Sequence, residues 1–149
     1  MDFNPCPEPF VHNSTLNLCY HFEDITGQTR TAANNNCKAR HQRAHLIALE
    51  TVEEYDFLKD YFLAGSSYAY LVTGGRTNNP GSTTDWFWEV EGNNTKRVTF
   101  FPWAPTEPNN GLGGTPEDIL LIDPQYEFMD GPDDMSFFAG LCSICEYDP

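Results

Sequence analysis

Near its start the chain places Leu16, Leu18, Tyr20 and Phe22 on alternate positions against polar neighbours, the period of a half-buried strand. Two short extended pieces are therefore predicted within residues 6–22. From Thr29 to Arg43 runs a polar, Ala- and Asn-containing stretch with Cys37 inside it, compatible with a helix of thin apolar face. A second helix is better marked. Thr51 precedes Glu54 by three residues, a capping box. Val52, Tyr55, Phe57, Leu58, Tyr61 and Phe62 include the three-four spacing of a buried stripe, and Ala64-Gly65-Ser66 ends the run at a glycine. After residue 66 the texture changes. Strand-like pieces Tyr68–Thr73, Trp86–Val90, Ile119–Ile122 and Leu141–Glu146 alternate with stretches of Gly, Pro and Asn, and 104–118 and 123–136 read as loop. Long structureless loops inside one domain are uncommon and tend to carry function. Helices first and strands with loops after them indicate an α+β class.

Length and composition narrow the picture. At 149 residues, 40% hydrophobic and 14% aromatic, the chain reads as one domain, 1–149, with a real core. Twenty-two acids against eight bases leave −14, a field that repels nucleic acid and anionic membrane surfaces. No apolar run approaches the roughly 20 residues of a membrane span. Arg97 is the last basic residue, and residues 98–149 carry ten acids. Two readings of that run stay open: a solvated face, or carboxylates that share a cation. Five cysteines and two sequons, Asn13-Ser14-Thr15 and Asn93-Asn94-Thr95, suit an oxidising compartment and a secreted protein. The start, Met1-Asp2-Phe3-Asn4-Pro5-Cys6, lacks the apolar stretch of a signal peptide and is read as a mature N-terminus.

Several short patterns stand in a fixed order: Cys6-Pro7, Cys19-Tyr20, Cys37 ahead of Ala44-His45-Leu46-Ile47-Ala48-Leu49, the helix with Glu53-Glu54, and Trp86-Phe87-Trp88 before Gly92. Then come Trp103-Ala104-Pro105-Thr106-Glu107-Pro108-Asn109-Asn110, Glu117-Asp118 and Cys145-Glu146-Tyr147. Together, from about residue 6 to the end, these resemble the C-type lectin domain. The resemblance implies two helices, two small antiparallel sheets, and a long loop region where a calcium ion itself holds the sugar. The implied ligands are Glu107, Asn109 and Glu117, with Asp133-Asp134 in place of an Asn-Asp pair. That pair is located by counting back eight residues from Cys145 to Phe137. It also implies a cis bond at Pro108, and disulfides Cys6–Cys19 and Cys37–Cys145. Calcium takes 6–8 oxygens from carboxylates, amides and carbonyls, which this set offers, with places left for two sugar hydroxyls.

The chain departs from the pattern in places. Ile119 and Phe137 stand where a second internal disulfide is expected, so an apolar contact would replace a cross-link, and the acidic loop would lean more on calcium for its order. Tyr70-Leu71-Val72 replaces a Trp-containing strand signature. Gly74, Gly75 and Asn79 stand where an auxiliary calcium site needs acids, so that site is expected to be missing. Glu-Pro-Asn favours mannose-, GlcNAc- or fucose-type glycans. Gly111-Leu112-Gly113-Gly114 resembles the glycine-rich loop of galactose-binding members, but no Trp follows Asn109 to stack on the sugar. Trp86, Trp88 and Trp103 fall in strand-like runs and are expected in the core.

The leading expectation is a calcium-dependent lectin domain that binds glycans of cell or microbial surfaces and is not an enzyme. Calcium-independent or galactose-type binding by the same fold, or a protein- or ice-binding domain, is the alternative. Cys142 is left over. If Cys145 points inward, alternation turns Cys142 outward, and a homodimer linked through Cys142 is expected, with a loop-covered thiol as the alternative.

Overall fold

A computed structural model describes residues 5–25, 29–65, 70–111, 115–134 and 141–149, without the side chains of 61–65 and Asn93. Two helices lie against a nine-stranded sheet. Strand β1 (Val11–Asn13) and β2 (Leu18–Asp24) are the two expected extended pieces and pair as a hairpin, tied by Cys6–Cys19. Helix α1 (Arg30–Arg40) starts where Thr29 Oγ1 accepts from the Ala32 amide at 3.1 Å. It buries little besides Ala33, Cys37 and Arg30, and is tied to the sheet by the Cys37–Cys145 bridge, by Asn34 Oδ1 accepting from the Leu46 amide at 3.1 Å and by Arg30 pairing with Glu89 at 3.1 Å. Helix α2 (Val52–Gly65) is entered through Thr51, whose hydroxyl accepts from the Glu54 amide at 3.1 Å. The reciprocal half of the capping box is shifted by one residue: Glu54 Oε2 accepts from the Glu50 amide at 3.4 Å rather than from Thr51, while Oε1 turns inward and accepts from the Tyr20 hydroxyl at 3.0 Å. Tyr55 and Leu58 are buried, whereas Val52 and Phe57 stay exposed.

The remaining strands are β3 (His45–Leu46), β4 (Tyr70–Arg76), β5 (Phe87–Glu89), β6 (Thr95–Arg97), β7 (Ile119–Ile122), β8 (Phe128–Gly131) and β9 (Leu141–Tyr147). Two antiparallel halves, one around β2 and β9 and one around β4, β7 and β8, are joined by a parallel pair that sets Tyr70–Val72 beside Leu141–Ser143. Every residue of β9 is buried, because the strand has neighbours on both edges and both faces are covered.

That burial overturns one expectation. Alternation does turn Cys142 away from Cys145, but the face it turns to is also core. Cys142 is 2% exposed, its Sγ donates to the Tyr70 carbonyl at 3.4 Å, and burial pushes its pKa up to about 12. An outward thiol ready for a second chain is not what the fold presents. Trp86 and Trp88 are in the core as expected; Trp103 is half-buried against it, donating through Nε1 to the Thr83 carbonyl at 3.0 Å. Strand β8 was hidden in the stretch that reads as loop. Asp123 builds the turn before it, accepting through Oδ1 from the amides of Gln125 and Glu127, both at 2.9 Å. Ile119 is buried, but Phe137 lies outside the described residues, so their contact does too.

Candidate functional site

The site is built where β8 meets the loop that carries Glu107. The loop is pinned at its base: the Ala104 amide donates to the Phe128 carbonyl at 2.9 Å, and the Phe128 amide to the Pro102 carbonyl at 2.8 Å. From there it bends through Thr106 and Asn110, both at positive φ, with the Glu107–Pro108 bond cis. The centre is Asp130, 1% exposed on β8. Its Oδ1 accepts from the Asn109 amide at 3.1 Å, and its Oδ2 from the Asn110 amide at 2.7 Å. The inner strand position thus holds a carboxylate that organises the loop above it.

Three further bonds bring the outer groups in. Asn109 Nδ2 donates to Glu107 Oε2 at 2.9 Å, while Asn109 Oδ1 accepts from the Gly111 amide at 2.9 Å. Asn110 Oδ1 accepts from the Glu117 amide at 3.1 Å, which ties the second acid to the same turn. Gly111 sits at φ +55°, and a Cβ there would come within 2.8 Å of the Thr115 carbonyl and 3.0 Å of Glu117 Cγ. The close approach requires glycine.

Glu107, Asn109 and Glu117 are therefore brought together as expected, but around Asp130, which the sequence reading missed. Asp133 and Asp134 meet a different neighbour, the start of α1: the Asp133 carbonyl accepts from the Arg30 amide at 3.3 Å, and Asp134 bridges to Thr29. Both are exposed. Behind them Arg30 Nη1 and Arg76 Nη1 share Glu89 Oε1, each at 3.1 Å. The signal for Asp130 is its place in the strand. An acid between buried Phe128 and Gly131, two positions after an apolar residue, occupies an inward slot where only a functional or capping carboxylate belongs.

Electrostatically the cluster is uncompensated. No Lys, Arg or His forms an ion pair with Glu107, Glu117 or Asp130 among the described residues. Burial, reinforced by the hydrogen bond and charge of Asp130, raises Glu107 to about 8. Glu117 is raised by burial and then by the same aspartate. Glu107 Oε1 is buried with no hydrogen-bond partner. Hard oxygen donors crowded together, with one buried oxygen unsatisfied, fit a divalent cation such as calcium. Among the described residues, no group of three or more His, Cys, Asp or Glu side chains is already placed to hold a metal ion.

No family model matches the chain. It is 30% identical over 108 residues to C-type lectin 37Da of Drosophila melanogaster, an alignment that covers 70% of this chain and 51% of that protein. The chain thus spans about half the length of that curated relative. Among solved structures, the cow C-type carbohydrate-recognition domain of CD23, determined in the presence of a GlcNAc2Man3 oligosaccharide, superposes with a TM-score of 0.73. The two are 20% identical, over 99% of this chain and 98% of that one. The calcium-independent C-type lectin SPL-2 from Saxidomus purpuratus superposes with a TM-score of 0.67 and 24% identity, covering 96% and 94%. The chain has the C-type lectin-like fold.

Proposed function

We propose that the chain is a calcium-dependent glycan-binding domain of mannose type, with Glu107, Asn109, Glu117 and Asp130 as the side chains that hold the ion. The observation that carries this reading is the buried, unpaired Glu107 Oε1 inside a cluster of carboxylates with no basic partner. When bound, the ion supplies a Lewis-acidic centre that accepts two vicinal sugar hydroxyls in place of water. The chain's own groups do the orienting. The oxygens of Glu107 and Glu117 accept from those hydroxyls, and the Asn109 amide, released from Glu107 Oε2, donates to one of them. Asp130 keeps the Asn109 and Asn110 amides fixed, so the turn is shaped before the sugar arrives. Asp133 and Asp134, which the family likeness suggested as ligands, would act from the neighbouring loop by charge.

Such a site buries little of a monosaccharide, so a dissociation constant around 1 mM, ~4 kcal/mol, is expected. Clustered copies would then raise the avidity on a glycan-covered surface. A glycan array probed with and without chelator tests the reading, together with the Glu107→Gln/Asn109→Asp double variant. Binding of mannose-type glycans should vanish with chelator, and the double variant should change sugar preference. An unchanged array in both comparisons would sink it.

A second reading, binding by the same loop without calcium, is favoured by one observation: Asn109 already satisfies Glu107 Oε2 through its own amide. It forecasts an array that chelator leaves intact but that Glu107→Gln alters.

A further inference from the structure

Away from the carboxylate cluster, a cavity of about 260 Å³ opens between the β1–β2 hairpin and α2, lined by Val11, Asn13, Tyr20, Phe22, Phe57 and Ile144 among others. Its rim is apolar and wet: Val11 is 60% exposed, Phe22 43% and Phe57 38%. Contiguous exposed apolar side chains mark a surface that something covers. Asn13 ends β1 and lines this cavity. Its Oδ1 accepts from the Leu16 amide at 2.9 Å, which fixes the side chain in the hairpin turn, while its Nδ2 has no hydrogen bond among the described residues. Ser14 and Thr15 follow it in the turn, and both are exposed. Asn13-Ser14-Thr15 is an acceptor triplet for N-linked glycans. The other triplet is placed differently, since Thr95 already belongs to β6 and pairs with Glu89.

We propose that Asn13 carries an N-linked glycan whose first sugars lie over Val11, Phe22 and Phe57 and cover the cavity. A pyranose offers an apolar C–H face that packs on aromatic and aliphatic side chains, while its hydroxyls stay in water. Asn13 lines the same cavity as these side chains, so the sugar needs no new contact partner to be brought in. The two disulfides suit the oxidising compartment in which this transfer occurs. In the transfer, Asn13 Nδ2 forms a bond to the anomeric carbon of the first GlcNAc of a lipid-diphosphate-linked oligosaccharide. The bond from that carbon to the diphosphate oxygen breaks, the lipid diphosphate leaves with the electron pair, and the amide proton passes to a base of the host transferase.

The test is secretion from insect cells behind a cleavable signal peptide, wild type beside Thr15→Ala. That variant removes the acceptor signal and leaves Asn13 and its bond to Leu16 in place. Glycopeptide mass spectrometry should find a glycan on Asn13 of the wild type and none in the variant, and the variant should bind more of the apolar-surface dye ANS. Should Thr15→Ala fail to be secreted, wild-type protein refolded from bacteria, with both disulfides verified, serves as the bare form for the same dye comparison. An unmodified Asn13 in the secreted wild type would overturn the proposal, and so would equal dye binding by glycosylated and bare protein. A bare form that dimerises and thereby hides the surface from the dye would also overturn it, by making a second copy the occupant.

Discussion

At the scale of single residues, Asp130 has two tasks. It accepts two backbone amides of the Glu107 loop, and its charge bears on Glu107 and Glu117. Hydrogen bonds to a charged acceptor contribute about 1.5–3 kcal/mol each. Asp130→Ala should therefore destabilise the protein by about 3 kcal/mol or more and lower calcium affinity at least ~10-fold, roughly 1.4 kcal/mol. Thermal melts and calcium calorimetry read the two effects separately, and an unchanged calcium affinity would remove Asp130 from the ligand set. Glu107, Asn109 and Glu117 were legible because Glu-Pro-Asn and Glu-Asp are short motifs on loops, where little but function constrains them. Asp130 was not, because a lone acid in a strand carries no motif. The Asp133-Asp134 assignment rests on a count back from Cys145 that runs through residues 135–140, which lie outside the described residues.

At the scale of elements, α2 was read nearly to its bounds, since a capping threonine, a buried stripe and a terminal glycine all agreed. β7 was read at Ile119–Ile122, its observed span. β3, β6 and β8 were not: β7 is a continuous apolar run, whereas β8, also of four residues, ends in Asp130-Gly131, β6 is polar throughout and β3 has two residues, so tertiary pairing makes them strands. The inward turn of Glu54 was also invisible to a capping rule, because its partners Tyr20 and Glu146 are distant in sequence. Thr51→Ala, which leaves the Glu54 amide without its acceptor, should cost about 1 kcal/mol in chemical denaturation.

The buried Glu54 adds a pH dependence. Burial first, with Glu50 adding its charge, raises it from 4.5 to about 7 against the hydrogen bonds that favour its charged form. Burial and the charge of Glu54 raise Glu146 well above its ordinary value. A carboxyl raised in the folded state contributes stability that is fully present below the unfolded value, about 4.5, and lost as pH climbs through the folded one. The wild-type melting temperature should thus fall between pH 5 and pH 8, and Glu54→Gln should flatten that fall. Parallel profiles for the two proteins would show that Glu54 is ionised throughout.

At the scale of the whole molecule, Cys37–Cys145 spans 108 residues and ties α1 to the central strand. The chain-entropy relation assigns such a loop ~4.7 kcal/mol, so the Cys37→Ala/Cys145→Ala variant should lose most of its stability to urea. Cys142, buried beside it, should react with a thiol reagent only after unfolding, and non-reducing electrophoresis should show the monomer mass. A disulfide-linked band would mean that β9 opens to solvent. The central claim is that sugar is held through a calcium ion at the Asp130 cluster. Calorimetric titration of mannose into the protein, once with calcium and once with chelator, tests it most directly. The expected result is binding near ~1 mM with calcium and no heat of binding with chelator. Equal affinity in the two titrations would contradict the claim.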